Sequence, residues 1–459
     1  MIEISRARFE VLAAYTRLPG TLVLGEEVRW FETAEGDIVA SIIRDRTDND
    51  FFGIVLGRDE RERFRVIDST EFFDTPDEVL KALATLIEAL QPNLAEKSKQ
   101  GDAKGPPVDF FVPPPKVKQP QNPAFTALRD EEGYSSARAC VEPMMRWYED
   151  ADRNFVEQFQ TTGFDARIWE LYLFAVFTEA GFAIDRKSAV PDFTCWGMAG
   201  EFCAEATTIN PSRDKTGALV PPPTIETDEQ FADFLRNYLP IKYAGPLTTK
   251  LAKRDWELPN AEGKPFVLAI QDFHHPRAMT FSRGALPIYL YGVEHEGQRQ
   301  PDGSLKISVT CVEKHQYNGK TIQSGFFNLE GAENVSAVIF NASATISKFN
   351  RIGVLAGFGS KRVRLSRTGI AIDPNPNASE PIQFQHEVNT HNYTETWIEG
   401  MDVYHNPRAK YPLNQNMLPG AAHHQLLPDG QMLSTVPAWH PLSSITAISL
   451  TGNDERTAE

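Results

Sequence analysis

The sequence predicts an α/β protein: a mixed-sheet core flanked by helices, with a small α/β domain before it and a β-rich extension after it. Three stretches carry that expectation. Ala166 to Ala180 contains no Gly or Pro and is followed by Gly181, where a left-handed C-terminal cap belongs. Phe193 to Trp196 and Phe202 to Thr208 are β-prone and are separated by Gly197-Met198-Ala199-Gly200, the pattern of a hairpin. Pro265 to Phe273 reads PFVLAIQDF, an apolar run of strand length that suits a central strand covered on both faces.

A chain of 459 residues is too long for one ordinary core and calls for two or three domains. Residues 1 to 95 read as a small accessory α/β domain, with a helix from Arg6, strands between Thr21 and Val66, and a helix from Asp77 to Leu90 with Thr75 or Asp77 near its cap. Dimerisation, partner contact and substrate docking all suit it. From 96 to 123 the composition shifts to Lys, Gln, Gly and Pro, which predicts an extended tether anchored at Phe110, Phe111 and Val112; its Pro-Pro-Pro run also fits a proline-binding partner.

Residues 124 to 372 read as the core, opened by helical sequence up to Gln160. After the hairpin, a helix is expected from Asp228 to Leu239, stopped by Pro240, and another from Pro246 to Arg254. Strands are expected at Leu286 to Val293, Ser304 to Val312, Val335 to Phe340 at an edge, and Arg362 to Ile372. Residues 373 to 459 show little periodicity and read as a loop-rich extension wrapping the core.

Composition narrows the function classes. The net charge of −16 opposes indiscriminate nucleic-acid binding, although an acidic protein can carry a basic cleft. Lys348, Arg351, Lys361, Arg362, Arg364 and Arg367 form the densest cationic stretch and are the candidates for phosphate contact; Arg146, Arg153 and Arg167 are candidates for a phosphate-facing rim. Four cysteines without C-x-x-C spacing suit neither a zinc module nor a disulfide scaffold and read as buried thiols. His274-His275 point opposite ways on a strand end and chelate poorly. There is no H-E-x-x-H, no P-loop and no G-x-S-x-G elbow. The N-terminus lacks an apolar signal core and no run of 18 apolar residues occurs, so the expectation is a cytoplasmic protein without a membrane span.

The chemistry concentrates in Phe164 to Pro211. Asp165 can cap the first helix, and Glu170 shares its stripe with Leu173, Phe174 and Phe177, which puts a carboxylate on the core-facing side. A buried carboxylate calls for a positive partner there; the alternative is a Glu170 paired with Arg167 one turn earlier as an ordinary surface contact. If Met198 and Ala199 form the turn, Asp192 faces Glu205 across the hairpin with Cβ atoms about 5 Å apart. Two carboxylates that close need a cation or a shared proton between them. Glu205 and Thr207 point to one face, and Phe202, Ala204 and Ala206 to the other.

These residues resemble the core of the PD-(D/E)xK nuclease superfamily, the restriction-endonuclease-like fold, over roughly residues 164 to 275. Glu170 resembles the helix carboxylate that precedes the core strands, Pro191-Asp192 the PD pair, and Glu205-Ala206-Thr207 the (D/E)-x-K tripeptide, with Thr207 where lysine is expected. The resemblance implies that Asp192, Glu205 and the Ala206 carbonyl hold Mg²⁺ or Mn²⁺, with Glu170 joining through water or a second ion. It also implies that a lysine from a neighbouring element, Lys250 or Lys215, replaces the missing one. The expectation is a metal-dependent hydrolase of phosphodiester bonds in DNA or RNA, with a homodimer through the N-terminal domain as one arrangement. The alternative is a nuclease-fold protein that binds nucleic acid or a partner without cutting, and a structural or defence-assembly subunit is a third reading.

Overall fold

The apolar run at 265 to 273 becomes the strand Phe266–Asp272, buried at every residue, within an eight-stranded sheet of the computed structural model. The structure describes residues 1–103, 105–113, 119–150, 153–185, 188–302, 305–375, 378 and 380–452. Across the sheet the strands run Met432–Thr435, Ala422–Leu426, Asp402–His405, Ala337–Phe340, Phe266–Asp272, Gly200–Ile209, Phe193–Gly197 and Ala183–Asp185. Phe266–Asp272 pairs in parallel with Ala337–Phe340 on one side and Gly200–Ile209 on the other, while the hairpin strands are antiparallel.

Side-chain alternation divides the core into two layers. Ala204 and Ala206 pack with Val267, Ala269 and the helix Phe164–Glu179 on one face. Cys203, Ile209, Leu268 and Ile270 pack with the helix Leu239–Lys253 on the other. The first helix ends as expected: Gly181 has φ +84°, its N–H bonds to the Thr178 carbonyl, and the Phe182 N–H bonds to the Phe177 carbonyl. Its start differs, because the N-cap is Gly163 and Asp165 lies inside the first turn, where burial pushes its carboxyl up to about 6.

Residues 1 to 95 form a five-stranded antiparallel sheet covered by the helix Pro76–Leu90, whose Val79, Leu83, Ile87 and Leu90 are buried against it. Thr75 and Glu78 make a capping box at its start. The expected tether is pinned: Phe110 and Phe111 are buried in the main core, and Gln160 Nε2 donates to the carbonyls of Phe110 and Val112 at 2.7 and 2.9 Å. Val112 itself is exposed. Of the Pro-Pro-Pro run, Pro114 and Pro115 lie outside the described residues.

Several expectations are corrected. Pro240 does not stop a helix; the segment Asp228–Asp233 continues through a π-helical turn, Phe234–Tyr238, into Leu239–Lys253, where Pro240 sits in the first turn and needs no donor. Leu286–Tyr291 is a helix whose Leu286, Tyr289, Leu290 and Tyr291 are buried, and the strand begins only at Val293. Ala337–Phe340 is internal to the sheet. The region 373 to 459 is not a loop-rich wrapping: it supplies three strands of the central sheet and two, Ile382–Glu387 and Pro441–Leu450, of a separate three-stranded sheet. Among the described residues no helix is long and apolar enough to cross a membrane.

The cationic stretch is also reassigned. Lys348, Arg351 and Arg367 are buried around two carboxylates. Arg351 Nε and Nη2 each donate to Glu395 at 2.8 Å, Lys348 Nζ lies 3.3 Å from Glu395, and Arg367 Nη1 donates to Glu399 at 2.6 Å. Burial drives the Lys348 ammonium downward against the pull of Glu395 and Glu399. The three cations therefore hold the C-terminal region onto the core and present no surface to a phosphate.

Candidate active site

The hairpin has the register the sequence suggested. Gly197 faces Gly200 and Phe193 faces Ala204, so the next pair outward is Asp192 with Glu205. At that position the ladder gives way to side-chain bonds. The Asp192 N–H donates to Glu205 Oε2 at 3.0 Å, and Asp192 Oδ2 accepts from the Ala206 N–H at 2.8 Å. Each carboxylate is thus fixed by the backbone of the other's strand.

The same contacts orient the Ala206 carbonyl. The Cys203 N–H bonds to the Pro265 carbonyl and the Ile209 carbonyl accepts from Phe273, so odd-numbered backbone groups of this strand face Phe266–Asp272. Even-numbered groups leave on the hairpin side, where the Ala206 N–H meets Asp192.

The cation is Lys250. Its Nζ lies 2.5 Å from Glu205 Oε1 and 3.9 Å from Asp192 Oδ2, reaching down from the helix Leu239–Lys253. Glu205 is 3% exposed, so the ammonium is what makes its burial tolerable. Burial works to lower the Lys250 pKa, but Glu205, Asp192 and Glu170 outweigh it and the net direction is upward. Lys215 and Lys253 are exposed, and Thr207 is half-buried on the Glu205 face of the strand.

Glu170 belongs to the opposite layer. Its Oε1 accepts from Arg167 Nη1 at 2.6 Å and its Oε2 from the Tyr148 hydroxyl at 2.7 Å. The Arg167 pair is nearly buried, not the surface contact its i, i+3 spacing suggested. Tyr148 lies just past the helix Ser135–Trp147. Among the described residues, the only group of three His, Cys, Asp or Glu with ligand atoms within 4.8 Å of one another is Asp45, Asp48 and Asp50, on an N-terminal turn. Arg167 and Tyr148 thus contact both Glu170 oxygens, and the ligand atoms of Glu170, Asp192 and Glu205 do not all lie within 4.8 Å of one another. Two of the three candidate rim arginines are committed elsewhere: Arg167 to Glu170, Gln158 and Asn154, and Arg146 to the Val108 carbonyl, while Arg153 is exposed.

The donor set suits a hard dication. Two carboxylates and a backbone carbonyl are oxygen ligands of the kind Mg²⁺ takes. Cys195 and Cys203, nearby on the hairpin, are buried and not disulfide-bonded. His274 is buried with its Nδ1 2.7 Å from Asp272 Oδ1. No protein-family model, curated protein or solved structure matches the chain.

Proposed function

We propose that the protein is a metal-dependent nuclease that hydrolyses phosphodiester bonds in DNA or RNA, built on a restriction-endonuclease-like core. The observation that carries the reading is the meeting of Asp192 and Glu205 at the mouth of the hairpin with the Lys250 ammonium between them. The order of parts supports it as well: a helix carboxylate, three antiparallel strands, a lysine-bearing helix and a parallel strand.

Asp192, Glu205 and the Ala206 carbonyl would hold Mg²⁺ or Mn²⁺, which when bound polarises a phosphate and makes a water more acidic. Lys250 stays charged through the neutral range and stabilises negative charge growing on the phosphate oxygens, the task of the lysine that Thr207 replaces. The Thr207 hydroxyl, on the Glu205 face, accepts or donates to the attacking water. Glu170 acts at a distance, adding to the field on Lys250.

Asp192→Asn and Glu205→Gln should each abolish Mg²⁺-dependent cleavage of a mixed panel of DNA and RNA, and Lys250→Met should cut it by at least a hundredfold. Undiminished cleavage in Asp192→Asn would end the proposal. A second reading, a binding protein without catalysis, is favoured by one observation: Lys250 already neutralises Glu205, so the pair is electrostatically satisfied with no metal. Calorimetric titration of Mg²⁺ and Mn²⁺ separates the two, since a wild-type protein that takes up neither ion is not a metal-dependent nuclease.

A further inference from the structure

The strand that carries Glu205 ends at Ile209, and beyond its end lies a patch of rings and lysines that the proposed chemistry does not use. The π-helical turn Phe234–Tyr238 and the hairpin formed by Lys314–Tyr317 and Lys320–Gln323 build it. Buried His315 locks the two together: its Nδ1 lies 2.5 Å from the Arg236 carbonyl and its Nε2 lies 2.7 Å from Ser324 Oγ. The Gln316 N–H adds a bond to Asn237 Oδ1 at 3.1 Å.

This clamp sets the rings of Tyr238 and Tyr317 edge to face, centroids 5.1 Å apart, and leaves both half-buried. Lys242 Nζ stands 5.8 Å from the Tyr238 ring centre. It donates to Ser212 Oγ at 2.6 Å and to the Asn210 carbonyl at 3.4 Å, both neutral acceptors. Among the described residues no carboxylate lies within ion-pair distance of it, although the side chain is half-buried. Lys320, at the turn of the ribbon, is exposed. The patch thus offers two cations without an ion-pair partner among the described residues, Lys242 feeling only the more distant carboxylate of Asp272, and the exposed parts of two tyrosine rings, Tyr238 being stacked on Phe234 behind it, in a protein whose net charge is −16.

Its position ties it to the carboxylate site. Lys242 and Lys250 are eight residues apart on one helix, about 12 Å along its axis. They reach Glu205 within the strand and Asn210 just past its end, about five residues or 16 Å apart.

We propose that Tyr238, Tyr317, Lys242 and Lys320 form a platform for single-stranded nucleic acid, holding the bases and backbone of the strand whose phosphodiester lies at Asp192 and Glu205. The proposal rests on the nuclease reading and names its substrate class. Every base has a π face, so rings beside lysines bind a strand without reading its sequence. A duplex keeps its bases stacked inside and offers such rings nothing.

The test is fluorescence anisotropy of the full chain in EDTA, where no cleavage occurs. Labelled oligodeoxythymidine and oligouridine of about 12 nucleotides are compared with a blunt duplex of that length. Single strands should bind at least tenfold more tightly than duplex. Tyr317→Leu should weaken single-strand binding about tenfold, and the exposed Lys320→Met should lower the salt slope by about 0.7. Lys242→Met should do the same, with far-UV dichroism of each variant checked against wild type. Equal or tighter duplex binding overturns the platform while leaving cleavage at Asp192 and Glu205 untouched. Polyglutamate binding as well as the oligonucleotides do would show a simple cationic surface and also overturn it. If no oligonucleotide binds and none is cut with Mg²⁺, the nuclease reading falls too.

Discussion

Replacing Lys250 by Met separates the electrostatic role of the ammonium from any part it has in chemistry. The pair it forms with Glu205 is nearly dry: the side chains are 15% and 4% exposed and the contact is 2.5 Å. Removing one partner of a buried pair costs about 3 to 5 kcal/mol because the other charge is left without compensation. The residual exposure of Lys250 and the contact of Glu205 with the Asp192 N–H bring the expectation to the lower end, about 3 kcal/mol. Glu205→Gln in the same background removes the orphaned charge, so the double variant should regain most of that loss. Urea unfolding of the four proteins at pH 7.5 gives the coupling energy directly. Mg²⁺ supplies a second arm. With the ammonium gone, an ion at one hundred times its Kd should restore about 2.7 kcal/mol to Lys250→Met. The pH dependence has a definite sign: because the folded-state pKa of Lys250 is raised, its contribution is present below the ordinary lysine pKa and is lost as pH rises through the folded one. A Lys250→Met variant within 0.5 kcal/mol of wild type, or a double variant no better than the single, would refute the claim that this ammonium compensates the burial of Glu205.

Other sites give independent checks. Glu395→Gln leaves Lys348, Arg351 and Arg367 buried with one carboxylate fewer and should cost about 3 to 5 kcal/mol in urea unfolding; a loss below 1 kcal/mol would mean the cluster is open to water. Gly353→Ala forces a Cβ to within 2.2 Å of the Ser136 carbonyl where the helix Ile346–Leu355 crosses Ser135–Trp147, so a thermal melt should show a loss of about 2 kcal/mol or more. His405 is held at about 4, first by burial and then by His423 and His424. A depressed histidine pKa contributes stability above the unfolded value near 6.5 that is lost as pH falls toward 4, at most about 3 kcal/mol. Unfolding free energies that stay flat from pH 7 to pH 4.5 would contradict it.

The parts of the molecule legible in its sequence are those where local pattern and tertiary environment agree. The hairpin register follows from a four-residue turn with two glycines, and the central strand from an unbroken apolar run, because each depends on neighbours in the chain. Gly181 likewise announces its cap. Elements whose environment comes from afar were not legible. Leu286–Tyr291 looks like a strand by composition and is a helix because it packs against the helix Leu239–Lys253 and the Phe326 turn. Pro240 looks like a stop because a proline ends a helix only when the preceding turn needs its donor, and here the π-helical turn relieves that need.

Charge was the least legible property, and the reason bears on function. A dense run of Lys and Arg looks like a surface when its counter-ions are unseen; Glu395 and Glu399 lie some thirty to fifty residues further along the chain and convert it into a core. With Lys348, Arg351 and Arg367 consumed internally and Arg167 committed to Glu170, the cations left to meet a polyanion must be few and specific. Lys250 and Lys242 stand on one helix, the first fixed by the carboxylates and the second with only neutral oxygens to bond. If the proposed platform holds a strand there, binding must depend strongly on salt, because a net charge of −16 opposes a polyanion and leaves the attraction to a few local cations.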